Sequence, residues 1–176
     1  MSKCIWLTGL SGSGKTTIAN LLAAQYKDKG QLTCVLDGDQ IRLGLNKDLG
    51  FTRSDRHENA RRVAEVAKIL VDLEILVIVA LISPFSEDRH KARALFQPGQ
   101  FIEVYVDTSL KRCATRDVKG LYTLQENGLI KNMTGITSPY EIPKNPDIHL
   151  RTDTTDAIEC CELIKNTSVF KNLNKK

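Results

Sequence analysis

The chain has 176 residues, 41% of them hydrophobic and 26% charged. This size and usage suit one globular core and exclude collagenous, fibrous and disordered classes. Lys and Arg outnumber Asp and Glu by 25 to 21, a surplus that fits small anionic ligands and is too mild to call for nucleic acid. The longest apolar run, Ile75 to Ile82, falls far short of the ~20 residues of a membrane-spanning helix, so no membrane partner is expected.

Cys4 to Thr8 is a short run of strand formers that ends directly in glycine, and an apolar pattern of helical period follows from Lys15 to about Tyr26. Between them, Gly9-Leu-Ser-Gly-Ser-Gly-Lys-Thr16 satisfies G-x-x-x-x-G-K-[ST] in the context that the pattern needs, after a strand and opening a helix. Glycines let backbone N–H groups converge on phosphate oxygens, and the helix N-terminus adds a favourable dipole. Lys15 can reach the outer phosphates, and Thr16 offers a hydroxyl to magnesium. A glycine-rich turn that binds nothing shares the composition but not the strand–loop–helix setting. The loop alone leaves open whether the nucleotide is a substrate or a switch signal. A GTP switch would carry N-K-x-D, and the nearest run, Asn46-Lys47-Asp48-Leu49, has leucine in the last place. The loop also begins so near the first residue that no export leader is expected. Cys4, Cys34, Cys113, Cys160 and Cys161 form no C-x-x-C pair, which suits reduced thiols in a cytoplasmic protein and gives no zinc or redox centre.

Thr33 to Leu36 reads as a second strand, and Leu36-Asp-Gly-Asp39 would bring Asp37 and Asp39 to its carboxyl end. One carboxylate there can orient an acceptor hydroxyl and take its proton while the other holds magnesium through water; a solvated D-G turn would account for the same residues. Ser54 to Asp72 is helical, with Ala60, Val63, Ala64, Ala67 and Leu70 on its inner face. On that helix Arg56, Asn59 and Arg62 recur near one face, and with Arg42 they suggest a multiply anionic acceptor. Arg53 and Arg61 read as a solvated basic face. Ile75 to Ile82 is a fully buried third strand, closed by Ile82-Ser-Pro-Phe85. Phe51 and Phe85 lie in connections where a ring can stack on a base or join the core. Ser83 has no neighbouring histidine base to make it a nucleophile.

Phe101 to Val106 and Asp147 to Leu150 complete five strands, and Asp156 to Asn166 closes the chain as a helix before a lysine-rich end, with Lys171, Lys175 and Lys176, that should fray. Alternating strands and helices imply an α/β, three-layer fold: a mostly parallel five-stranded sheet with helices on both faces and ligands beyond the carboxyl ends of the strands. The Gly- and Pro-marked stretch from about 117 to 146 breaks the alternation and reads as a lid. All of 1–176 is expected to form a single P-loop domain.

Together, Gly9 to Thr17, Asp37-Gly-Asp39, Asp55-Arg-His-Glu-Asn59 with Arg62, Ile82-Ser-Pro-Phe85, Arg116-Asp117, Lys119-Gly-Leu-Tyr122, Thr134-Gly-Ile136 and Pro139-Tyr-Glu141 resemble the adenylyl-sulfate kinases of the P-loop NTPase fold. The resemblance implies transfer of the terminal phosphoryl of ATP, with Mg2+, to the ribose 3′-hydroxyl of adenylyl sulfate. It implies ATP contacts from Gly9, Ser11, Gly12, Ser13, Gly14, Lys15, Thr16 and Thr17, with Arg116 by the adenine, and metal contacts from Thr16 and Asp37. Asp39 would be the base, Arg42, Arg56 and Asn59 would hold phosphosulfate and ribose, and Phe51 would stack on the acceptor adenine. Ile82, Ser83, Phe85, Asn132 and Met133 would complete that pocket, and Lys119 would neutralise charge near the transferring group. Ser83 is also a secondary catalytic candidate, as the site of a phosphoserine. Three positions depart from the family pattern: Met133 where phenylalanine is usual, so that acceptor binding should be weaker or differently shaped; Val118 where proline is usual, which should loosen the lid's entry; and Glu74 where glycine is usual, in a solvent-facing turn. The resemblance further implies a homodimer and a separate ATP sulfurylase as functional partner.

Overall fold

The computed structural model describes residues 2–167. Its elements run β1 (Cys4–Thr8), α1 (Lys15–Lys27), β2 (Thr33–Asp37), α2 (Gly38–Leu43), α3 (Arg53–Asp72), β3 (Leu76–Ala80), α4 (Ser86–Ala94), β4 (Phe101–Asp107), α5 (Leu110–Arg116), α6 (Leu121–Glu126), β5 (Ile148–Arg151) and α7 (Ala157–Asn166). The strands form one five-stranded sheet in the order β2-β3-β1-β4-β5. Every pairing is parallel, so the sheet expected to be mostly parallel is wholly so.

Strands buried on both faces need apolar residues at every position, and their alternation then decides which layer each side chain enters. In β1, Ile5 and Leu7 join Ile18 and Leu22 of α1 and Ile164 of α7. Cys4 and Trp6 point the other way, into a cluster with Val63 and Ala67 of α3 and Ala92 of α4. These two clusters are the core, and they account for the three layers. No helix among the described residues is long and apolar enough to cross a membrane.

Boundaries shift by a residue or two from the sequence reading, each for a hydrogen-bonding reason. The third strand begins at Leu76 because the Ile75 N–H closes the end of α3 on the Leu70 carbonyl. It ends at Ala80, beyond which the Ile82 carbonyl accepts from Gly9 N–H and Thr8 Oγ1 instead of continuing the ladder. The fifth strand starts one residue late, at Ile148; Asp147 uses its carboxylate to accept from the Glu103 N–H. The short α2 was not foreseen; Asp37 caps it by accepting from the Asp39 N–H.

The lid is more ordered than its composition suggests. It contains α6, whose first turn is held by the Asp117 carboxylate accepting from Tyr122 N–H, Thr123 N–H and Thr123 Oγ1. Those bonds lie at the lid's entry, beside Val118. Tyr122 and Met133 pack with Cys113 and Leu10 into a third, small apolar cluster, and the Tyr122 hydroxyl donates to the Ser11 carbonyl at 2.8 Å. The lid is thereby seated on the phosphate loop. The fraying expected for the lysine-rich end lies outside the described residues.

Candidate active site

Every strand of a parallel sheet ends at the same edge, so the loops after β1, β2 and β3 converge there. The phosphate loop leaves β1 at Gly9, where a Cβ would stand 2.5 Å from the Val106 carbonyl oxygen; only glycine fits so close to the neighbouring strand. It enters α1 through Gly14, whose φ of +100° is left-handed and costly for any side chain. Lys15 is buried, and its Nζ donates to the carbonyls of Gly9 at 3.0 Å and Leu10 at 2.7 Å and to Ser13 Oγ at 3.3 Å. Burial, then the nearby Lys119, pulls its pKa down to about 8, against weaker opposing effects of Cys113, Asp39 and Asp37. This ammonium is desolvated and short of carboxylate partners, the condition of a group waiting for phosphate.

Thr16 Oγ1 donates to Asp37 Oδ2 at 2.7 Å. A hydroxyl and a carboxylate side by side form a hard oxygen donor set that fits magnesium, an ion that takes one or two protein oxygens and otherwise keeps phosphate and water. Two residues on, in the first turn of α2, Asp39 is largely exposed at the cleft and forms an ion pair with Lys119 of the lid.

The acceptor side is built by α2, α3 and the connection between them. Arg42 donates to the carbonyls of Leu49 and Gly50 at 3.1 and 3.0 Å and lies 4.4 Å from the centre of the Phe51 ring. Arg56 donates to the Phe51 carbonyl at 3.1 Å and to the Asn132 carbonyl at 2.6 Å. Burial lowers the pKa of both guanidiniums, with Arg42 adding to the effect on Arg56; both are cations packed together, and among the described residues no carboxylate is hydrogen-bonded to either. Phe51 is 56% exposed, so its ring stands open to a ligand.

Ser11, Gly12, Ser13, Gly14, Lys15, Thr16, Thr17, Asp37, Asp39, Arg42, Phe51, Arg56, Asn59, Ile82, Ser83, Arg116, Lys119, Asn132 and Met133 all line one cleft of about 830 Å³. Residues up to 122 positions apart in sequence are thus brought into one wall, from Ser11 to Met133. Three candidates are not part of it. Gly9 lies behind the loop against β4. Phe85 is buried at 2% exposure, its ring 4.8 Å from that of His57 and beneath the Arg53 guanidinium; of its two readings, the structure supports core packing. Arg62 is also spent elsewhere, paired with Asp48 and Glu58. Met133 is 6% exposed and packs under the lid while still edging the cleft.

Ser83 has a left-handed φ of +43°. Its Oγ accepts from Trp6 Nε1 at 3.0 Å, and its carbonyl accepts from Arg89 and Thr8. Among the described residues no base is hydrogen-bonded to its hydroxyl, so its contacts are those of a positioned pocket wall. Sequence reasoning never named Arg89, and it met Asn46 and Glu141 only inside the Asn46–Leu49 and Pro139–Glu141 runs, with no role for either side chain. Arg89 is 2% exposed and joins Glu103, the Ser83 carbonyl and the Glu141 carbonyl, while the Glu141 carboxylate accepts from the Ser86 N–H and hydroxyl. These bonds link the lid's return to the acceptor loop. No local pattern announces them, since each joins distant segments.

The adenylylsulphate kinase family model matches residues 1–151. An adenylyl-sulfate kinase of Burkholderia ambifaria is 53% identical over 160 residues, which are 91% of this chain and 88% of that protein. The bifunctional enzyme NodQ of Rhizobium sp. (strain N33) is 54% identical over 161 residues, 92% of this chain and 25% of that enzyme; the chain spans about a quarter of this relative. Among solved structures, Mycobacterium tuberculosis APS kinase CysC in complex with AMPPNP and APS superposes with a TM-score of 0.87 at 46% identity, covering 94% of this chain and 98% of that one.

Proposed function

This chain belongs to the adenylylsulphate kinase family, and from that premise we propose that it moves the γ-phosphoryl of ATP to the ribose 3′-hydroxyl of adenylyl sulfate, giving 3′-phosphoadenylyl sulfate and ADP. The observation that carries the proposal is the layout of the cleft. A phosphate loop with a desolvated lysine forms one bank, two arginines and an open phenylalanine ring form the other, and the Asp39–Lys119 pair stands between them. A triphosphate fits the first bank, and an aromatic, multiply anionic acceptor fits the second.

Phosphoryl transfer asks a protein for positioning and for charge placed where it develops. Backbone N–H groups from Ser11 to Thr17 cradle the phosphates, and Lys15 turns from the loop carbonyls to the outer phosphate oxygens. Arg116, held by the Thr152 carbonyl at 2.7 Å, flanks the nucleotide. On the other bank, Arg42, Arg56 and Asn59 hold the phosphosulfate and ribose, Phe51 stacks on the acceptor adenine, and Ile82, Ser83, Asn132 and Met133 shape its pocket. Asp39 orients the 3′-hydroxyl and accepts its proton at a carboxylate oxygen. Lys119 follows the transferring group from its resting place on Asp39. Thr16 and Asp37 would hold Mg2+, which when bound offsets charge on the phosphates. The reaction is placed in the cytoplasm, a reading supported by five unpaired cysteines among the described residues, with an ATP sulfurylase supplying the acceptor.

Incubation with ATP, magnesium and adenylyl sulfate, followed by chromatography of the products, tests the reading. Conversion of the acceptor to its 3′-phospho form is expected. No conversion, alongside brisk phosphorylation of a sugar acid, shikimate or a nucleotide, would overturn it.

A further inference from the structure

Asn46 lies in the connection between α2 and α3 and is wholly buried. Its backbone is fixed on both sides, with its N–H donating to the Ile41 carbonyl and its own carbonyl accepting from the Leu49 N–H. Its side-chain Nδ2 donates to Asn59 Oδ1 at 3.0 Å, and its Oδ1 is buried with no partner. The contact decides which half of the Asn59 amide is free. With Oδ1 of Asn59 occupied, what remains for the cleft that Asn59 lines is Nδ2, a donor with no acceptor among the described residues.

The reverse arrangement, Asn59 Nδ2 donating to Asn46 Oδ1, would leave both N–H groups of the buried Asn46 amide without an acceptor, where the observed one leaves one N–H and the carbonyl oxygen. Unpaired buried N–H groups are the rarer and costlier defect, so the observed direction is the favoured one. A donor is also the half that an anionic acceptor needs, since a carbonyl oxygen in that position would repel phosphosulfate oxygens.

We propose that Asn46 is a positioning residue for the acceptor: by occupying Asn59 Oδ1 it locks the Asn59 amide with its N–H donors toward the anionic half of the cleft. The proposal deepens the kinase reading and rests on it. Asn46 itself touches no substrate, so its effect must pass through Asn59.

Asn46→Asp tests this by reversing the polarity. An aspartate at 46 in its charged form only accepts, so Asn59 must turn its amide N–H inward and present Oδ1 to the cleft. The KM for adenylyl sulfate should rise about tenfold, while kcat and the KM for ATP stay within about twofold. Asn46→Leu, which releases Asn59 without reversing it, should raise the acceptor KM by a smaller factor. Unchanged acceptor KM in Asn46→Asp, or equal losses in kcat and both KM values, would overturn the proposal. Should that variant not fold, the side-chain NH2 signals of Asn59 in the unaltered protein decide the matter: they should shift when adenylyl sulfate binds, and their failure to move while other acceptor-site signals do would overturn it. Failure of the kinase reading looks different, because then the unaltered protein does not phosphorylate adenylyl sulfate at all.

Discussion

At Lys15, the surroundings turn a surface cation into a phosphate-seeking group. Its folded pKa of about 8 lies below the ordinary lysine value of 10.5, chiefly through burial. A desolvated charge destabilises the fold while both states are protonated, below about pH 8; the penalty fades between pH 8 and 10.5, where the folded state alone has lost the proton. The nucleotide-free protein should therefore gain stability across that window. Phosphates restore the proton, so at pH 8.5 ATP binding should take up roughly 0.8 of a proton. Calorimetry in buffers of different ionisation enthalpy would measure this, and the uptake should vanish at pH 7 and in Lys15→Ala. The same variant should lose about 10²- to 10³-fold in turnover.

Asp39 is a matched case on the acceptor side. Asp39→Asn keeps the shape but removes the proton acceptor, so kcat should fall about 10²-fold while ATP affinity changes little. An asparagine variant with full kcat at neutral pH would end the assignment of Asp39 as base. How legible such residues are depends on the range of their contacts. Lys15 and Thr16 could be named from the motif because a loop and its own helix place them. Phe51 and Phe85 looked alike in sequence, and only the packing of Phe85 against His57 and Arg53 separated an open ring from a buried one.

Among the elements, α3 shows how local chemistry serves the site. Its start is set by a capping box, with Thr52 Oγ1 accepting from the Asp55 N–H and the Asp55 carboxylate accepting from the Thr52 N–H. Arg56 follows directly, its N–H donating to the Thr52 carbonyl. Thr52→Ala should cost about 1 kcal/mol of stability in urea unfolding, and it should raise the KM for adenylyl sulfate more than that for ATP. The other end of α3 closes on Glu74, at a left-handed φ of +62°, with its N–H donating to the Val71 carbonyl. Glycine is the residue that suits this conformation, which gives the family's usual glycine a physical reason. Glu74→Gly should stabilise the protein by roughly 0.5–1 kcal/mol, because relief of the left-handed strain exceeds the added chain entropy. The turn after α3 was legible as a solvent-facing bend; its handedness was not, because no residue in the sequence declares a positive φ when glycine is absent.

The whole molecule is organised around β1, whose side chains enter both layers of the core. Trp6, the single tryptophan, is fully buried there and donates to Ser83 in the wall of the cleft. Unfolding followed by its fluorescence should therefore coincide with the loss of helical circular dichroism, as one transition with a red-shifted product. Two separate midpoints would mean that the layers unfold independently.

Strand, loop and helix alternation, the phosphate loop and the two carboxylates after the second strand could be read from the chain itself. Their physics is short in range: apolar periodicity, glycine backbone freedom and the start of a helix act within a few residues. The seat of the lid on Leu10, the meeting of Lys119 with Asp39 and the grip of Asn46 on Asn59 were decided only by tertiary structure. Side chains 13 to 123 positions apart acquire their partners only when the sheet brings its carboxyl edge together, and a linear pattern holds no measure of that distance.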